Sequence, residues 1–211
     1  VGHLALARSA RDALALDEVR LVPTGQSWQK PSDRTAAVHR QAMVACALQG
    51  LDPQEGLHLD DREVRREGPS YTVETLAELR AELGEQVALV LILGSDQLHN
   101  LASWHRWREL FDLAHLAVTQ RERVPLTGLP ELVQQEVDTR GQDALPDRPA
   151  GSIVFFRMPA VAVSATVLRA QIARGEPVSG LTPATVLDYI AVHSLYAARP
   201  TSPPPLAGKP S

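Results

Sequence analysis

Ser164, Thr166 and Arg169 place two hydroxyls and a permanent cation within a few residues of each other, in the stretch Val163-Ser164-Ala165-Thr166-Val167-Leu168-Arg169. Serine is a favoured N-cap residue, so a helix opening at Ser164 would present unpaired backbone N–H groups and a partial positive charge. Arg169 lies one turn further in and can reach back with a forked guanidinium. Hydroxyls, free amides and a guanidinium together suit a phosphate chain. The plainer alternative is a capped surface helix with a solvated arginine, and the S-x-T-x-x-R spacing alone does not choose between them.

Other stretches add chemistry of the same kind. Asp96 follows the apolar run Val87 to Leu93 and a glycine, Gly94-Ser95-Asp96. A carboxylate there can hold ribose hydroxyls or organise a metal-bound phosphate, or it can simply cap the next helix. Gly2-His3 stands at a helix start, where the imidazole can donate to phosphate oxygens as charge builds, or remain an exposed terminal histidine. Ser70-Tyr71-Thr72 opens another helix and offers amides and a hydroxyl to a small anion such as a carboxylate. Lys30 beside Trp28 could pair with a monophosphate. Trp104 and Trp107 are three apart, which by default means core packing, although Trp104 could stack on a flat ring. His39, His58, His99, His105, His115 and His193 lack metal-ligand spacing and read as surface or core residues, so no protein metal site is expected. Cys46, the single cysteine, excludes an internal disulfide framework and reads as a small core residue on a helix.

These residues need elements to position them. Helical patterns run from Leu4 to about Leu16, Arg34 to Leu48, after Ser70-Tyr71-Thr72 to Gly84, through Trp104, Trp107 and Phe111, over Leu129 to Val137, from Ser164 to Gly175, and after Thr182-Pro183. Strand patterns fall on Glu18 to Pro23, Leu57 to Leu59, Val87 to Leu93, Leu116 to Thr119 and Ile153 to Phe156. Residues 141–151 read as a loop. The seven apolar residues of Val87 to Leu93 have the character of a parallel strand covered on both faces. Alternating strands and helices predict an α/β fold, a Rossmann-like doubly wound parallel sheet flanked by helices. Ligands bind such sheets outside the carboxyl ends of the strands, which would bring Gly94 to Asp96, the Lys30 loop and Ser164 to Arg169 to one crevice.

At 211 residues the chain fits one domain, expected over 1–197, with a disordered proline-rich tail over 198–211. A net charge of −4 gives no basic excess that would point to nucleic acid. No apolar stretch can span a bilayer and no signal-peptide pattern opens the chain, so a cytoplasmic protein with no membrane partner is expected. A dehydrogenase on a similar sheet would want G-x-G-x-x-G after a strand, and there is none.

Taken in order, the pieces resemble bacterial nicotinate-nucleotide adenylyltransferases. The matching marks are Gly2-His3, Pro23 with the loop to Lys30, Pro69-Ser70-Tyr71-Thr72, Gly94-Ser95-Asp96 followed by Trp104, Ser164-Ala165-Thr166 with Arg169, and Asp188-Tyr189-Ile190 before Leu195-Tyr196. The resemblance implies adenylyl transfer from ATP to nicotinate mononucleotide with magnesium, giving nicotinate adenine dinucleotide and pyrophosphate in NAD synthesis. It implies that Gly2 and His3 end an H-x-G-H motif on the ATP phosphates, and that Ser164, Thr166 and Arg169 cradle the triphosphate from the other side. Gly94 and Asp96 would contact ribose, Thr72 and Trp104 the nicotinate, and Lys30 a phosphate. The loop Gly25-Gln26-Ser27-Trp28-Gln29 departs from the commoner proline-histidine form, and His105 stands where many relatives have tyrosine. The family's opening strand, its glycine-rich turn and the first histidine of H-x-G-H have no counterpart, so the first strand of the sheet is expected to be missing. The alternatives are a nucleotide-binding remnant with impaired turnover and a pantetheine-phosphate adenylyltransferase-like enzyme.

Overall fold

A computed structural model describes residues 2–26, 35–120, 127–159 and 165–197. In chain order the elements are α1 (Gly2–Leu14), β1 (Val19–Leu21), α2 (Ala37–Leu48), β2 (Leu57–Leu59), α3 (Arg62–Arg65), α4 (Thr72–Leu83), β3 (Val90–Gly94), α5 (Ser95–His99), α6 (Leu110–Leu113), β4 (His115–Gln120), α7 (Glu131–Arg140), β5 (Gly141–Gln142), β6 (Ile153–Arg157), α8 (Ala165–Ala173) and α9 (Ala184–Val192). Short 3-10 turns lie at Pro53–Glu55, Leu101–Ser103 and Trp107–Glu109. The alternation predicts an α/β fold with parallel strands, and that is what forms.

The strands build two parallel sheets. β1 pairs with β2, and a four-stranded sheet runs in the order β3-β4-β6-β5. Among the described residues no strand joins β1 to β3. This changes the expectation for Val87 to Leu93. The strand begins only at Val90, with Val87 and Ala88 exposed and Val90, Leu91 and Ile92 half-buried. β3 borders the sheet on one side, so its apolar side chains have fewer neighbours than a central strand supplies.

Side chains alternate across the sheet with the two-residue period of a strand. Leu93, Leu116, Val118 and Ile153 join Val73, Leu76 and Leu79 of α4, Phe111 of α6 and Val133 of α7 in the larger core. Ala117, Val154 and Phe156 face the other way, against Ala10 of α1 with Leu6 and Leu14 around it. The two-stranded sheet is clasped to α4 by ion pairs. Arg62 bridges Asp60 at 2.7 Å and Glu82 at 2.8 Å, and Arg20 reaches Glu82 at 2.9 Å. Burial would raise the Asp60 pKa, but the hydrogen bonds and charge of Arg62, with Arg20 behind it, hold it below the usual value.

Several expected elements are corrected. The helix expected through Trp104, Trp107 and Phe111 is broken into α5, two 3-10 turns and α6, because Trp104 is extended (ψ 146°) and Arg106 takes a left-handed backbone (φ 50°), neither of which a continuous helix allows. Residues 141–142, expected as loop, form β5 against β6. Cys46 lies on α2 but is half-buried, since α2 has no fully buried residue. The tail over 198–211 lies outside the described residues.

His115, at the start of β4, is wholly buried. Its Nδ1 accepts from the Ser152 amide at 3.1 Å, which leaves the other ring nitrogen, Nε2, to donate to the Arg148 carbonyl at 2.8 Å. Burial pushes its pKa below the ordinary 6.5, the Arg148 carbonyl opposes this, and the charges of Arg148 and Arg80 add to it. The unfolded chain therefore takes up the proton more readily than the folded one. The neutral ring contributes its full stability above pH 6.5, and this is lost as the pH falls through the lower folded value. Thermal melts between about pH 7.5 and about pH 5.5 should fall more steeply for the natural chain than for His115→Gln. Parallel slopes would show that this ring does not govern the loss.

Candidate functional site

β3 delivers Gly94 to the carboxyl end of the sheet, in register with Thr119 of β4, and the chain turns at once into α5. Asp96 is half-buried there. One of its oxygens accepts from Gln97 Nε2 at 3.0 Å, and Asn100 donates to its carbonyl at 3.0 Å, so the local fold sets its direction. Behind it the hydroxyls of Ser95 and Thr119 are fully buried without a hydrogen-bond partner among the described residues. Orphaned buried hydroxyls are costly, and their position at the strand ends marks this edge as a place where polar groups from elsewhere are wanted.

The second part of the site is the opening of α4. Thr72 is its first residue, and no side chain caps the helix, so its first amides keep their capacity for an anion. The preceding loop is held in place from behind. Ser70 donates its amide to the Gln26 carbonyl at 2.9 Å, and Gln26 bridges to Pro69. Gly25 packs so closely that a Cβ there would lie 2.0 Å from the Glu63 carbonyl oxygen and 2.7 Å from Ser70 Oγ. One turn into α4, Thr75 donates to buried Glu63 at 2.8 Å, and Arg66 donates to Thr75 at 3.1 Å and to Glu78 at 2.8 Å.

Tyr71 stacks on His105 with ring centroids 4.3 Å apart. That contact brings the segment bearing Thr72 against the one bearing Trp104. Trp104 is half-buried at the edge of the larger core, and its indole N–H is buried without a partner among the described residues. Sequence reasoning missed this ring pair. The signal was present, for Tyr71 and His105 are both flat rings beside candidate site residues.

Gly2 and His3 form the first turn of α1, with His3 exposed. Thr166 and Arg169 lie exposed on α8. Arg169 Nε donates to the Ala165 carbonyl at 3.1 Å, and its guanidinium carbon sits 5.9 Å from the centre of the Tyr196 ring. Tyr196 was read only as a family mark, and its place beside Arg169 is the second thing the sequence did not disclose. Lys30 and Ser164 lie outside the described residues. Among the described residues no group of three or more histidine, cysteine, aspartate or glutamate side chains forms a metal cage, and no helix is long and apolar enough to cross a membrane.

Parallel strands flanked by helices define an α/β fold of the nucleotide-binding kind. The chain belongs to the cytidylyltransferase-like family, whose model matches residues 1–179. Its relatives include a probable nicotinate-nucleotide adenylyltransferase of Chromobacterium violaceum, 44% identical over 196 residues, covering 92% of this chain and 91% of the relative. One of the same description from Laribacter hongkongensis is also 44% identical, covering 92% and 88%. The fold resembles that of Plasmodium falciparum nicotinic acid mononucleotide adenylyltransferase complexed with NaAD, with a TM-score of 0.69 at 16% identity, covering 92% of this chain and 89% of that one.

Proposed function

We propose that this chain is a nicotinate-nucleotide adenylyltransferase, joining ATP and nicotinate mononucleotide to give nicotinate adenine dinucleotide and pyrophosphate. The names of its relatives at 44% identity support the reaction. The observation in the fold that carries it furthest is the meeting of the Thr72 and Trp104 segments through Tyr71 and His105. A helix start beside a half-buried indole offers a place for a flat ring bearing a carboxylate.

In this reading a 5′-phosphate oxygen of the mononucleotide attacks the α-phosphorus of ATP in line. The bond from that oxygen to phosphorus forms, the bond to the bridging oxygen breaks, and its electrons leave with pyrophosphate. No covalent enzyme intermediate is required. The protein positions the reactants and stabilises charge on the phosphoryl oxygens. Thr72 and the first amides of α4 hold the nicotinate carboxylate, with Trp104 stacked on the ring. Asp96 and Gly94 hold ribose hydroxyls. Gly2 and His3 meet the ATP phosphates from one side, and Ser164, Thr166 and Arg169 from the other, with Lys30 on a phosphate.

Asp96 stands at the end of β3 and no group of acidic or histidine side chains among the described residues forms a protein cage, which suits magnesium brought in on the triphosphate better than a resident ion. When bound, magnesium would neutralise charge on the departing pyrophosphate. A cytoplasmic setting and the absence of nucleic-acid and membrane partners belong to the same reading.

The test compares acid and amide acceptors. Donors at Thr72 that lose a charged partner should cost the amide mononucleotide about a hundredfold or more in kcat/KM. Trp104→Ala should raise KM for nicotinate mononucleotide about tenfold, the loss of one stacking contact, while KM for ATP stays close to that of the natural chain. Pyrophosphate release is the assay. Equal use of the two acceptors would remove Thr72 from the carboxylate site, and no release at all would favour a binding remnant.

A further inference from the structure

α8 carries the arginine assigned to the triphosphate, yet burial does little to hold it. None of its described side chains is fully buried, and Val167 is 51% exposed. A long guanidinium on such a helix would sample many rotamers, and order lost in that way must be supplied by specific contacts. One is local, the bond from Arg169 Nε to the Ala165 carbonyl. The other comes from beyond the end of α9, where the Tyr196 ring lies under the guanidinium at 5.9 Å, within the range at which an aromatic face attracts a cation.

The backbone takes an unusual course to put that ring there. Ser194 (φ 49°) and Tyr196 (φ 62°) both adopt the left-handed conformation that side-chain-bearing residues avoid. The turn is secured by amide bonds from Ser194 to the Ala191 carbonyl at 3.1 Å and from Leu195 to the Ile190 carbonyl at 3.0 Å. At its far end the Tyr196 hydroxyl meets Met43 Sδ of α2 at 3.9 Å. α9 itself is fastened to α2, through Thr185 donating to the Cys46 carbonyl at 2.7 Å and the Tyr189 hydroxyl bonded to His39 at 2.9 Å. Tyr196 therefore links the arginine of α8 to the hydrogen-bonded pair of α2 and α9.

We propose that Tyr196 is a positioning residue for Arg169, presenting its guanidinium to the triphosphate. This rests on the reading that Arg169 serves that group. An aromatic face suits the task better than a carboxylate would. A carboxylate would occupy the forked N–H edge and weaken the positive charge, whereas a ring attracts the cation through its flat face and leaves the N–H groups to an anion.

The test uses the full chain with Tyr196→Leu and Tyr196→Phe, reading the ATP dissociation constant by titration calorimetry, kcat, both KM values and the thermal melt. Tyr196→Leu should weaken ATP binding and lower kcat/KM for ATP by about two- to thirtyfold, the range of a cation–ring contact, with KM for nicotinate mononucleotide unchanged. Tyr196→Phe keeps the ring face and should stay near the natural chain. In an Arg169→Ala background Tyr196→Leu should cost nothing more. A merely structural tyrosine would instead lower the melt, impair both substrates and cost as much without Arg169. Should Tyr196→Leu fail to fold, Tyr196→Met keeps apolar length without a ring and reports the same quantities. Loss with Arg169→Ala but none with a ringless variant overturns the positioning role alone. An Arg169→Ala variant that binds and turns over ATP like the natural chain overturns the site reading and this inference with it.

Discussion

Arg169→Ala is expected to lower kcat/KM for ATP by about a hundredfold or more, the usual cost of removing one donor to transition-state charge, while the melt changes little. Arg169 is exposed and its described contacts are few: a bond to the Ala165 carbonyl and the Tyr196 ring. Substitutions at such surface positions usually alter stability within about 0.5 kcal/mol. The cation's own helix gives it no reason to be there, since positive charge near a helix N-terminus is opposed by the dipole. The Ala165 carbonyl and the Tyr196 ring offset part of this, and in the proposed reading a bound anion supplies the rest. Arg169→Lys should recover part of the loss, because a point charge remains but the fork does not. Kinetics that match the natural chain in Arg169→Ala would take Arg169 out of the site.

Gly25→Ala should have the second large effect, through space rather than charge. The added methyl would sit 2.0 Å from the Glu63 carbonyl oxygen and 2.8 Å from its carbonyl carbon, both backbone atoms that cannot rotate away. One segment must shift, and both matter. Glu63 is the buried acceptor for Thr75, and Gln26, next to Gly25, holds the Ser70 amide in front of Thr72. Overpacking of this kind costs about 1–3 kcal/mol or more, which for a chain of this size lowers the melt by roughly 2–12 °C. The same shift should raise KM for nicotinate mononucleotide several times more than KM for ATP, since the proposed site puts the displaced loop on the acceptor side. A melt and an acceptor KM both equal to those of the natural chain would show that the close approach is absent in solution.

The two effects separate the halves of the proposed site. Arg169 tests the triphosphate side with the fold left intact. Gly25 tests whether the acceptor side depends on a backbone contact made between residues distant in sequence.

Much of this was readable from residue order. Apolar runs bounded by turn residues located five strands to within a few residues, and the caps located most helices, because burial and capping act over short stretches. Gly94-Ser95-Asp96 was legible as a strand end followed by a carboxylate for the same reason. The resemblance to a nucleotidyltransferase also lay in the sequence, since each motif is local and the motifs come in order. What remained hidden depended on pairing between distant segments. Whether Val87 to Leu93 is buried on both faces depends on which strands lie beside it, and among the described residues only β4 does. The break between Trp104 and Trp107 follows from an extended Trp104 and a left-handed Arg106 that no periodicity reveals. Gly25 became informative only when folding put the Glu63 carbonyl against it, and Tyr196 became a neighbour of Arg169 only when α9 docked on α2. Sequence determines side-chain chemistry and local conformation, because those are properties of neighbouring residues. Close approach across the fold is set by how the elements pack, and that the tertiary structure alone decided.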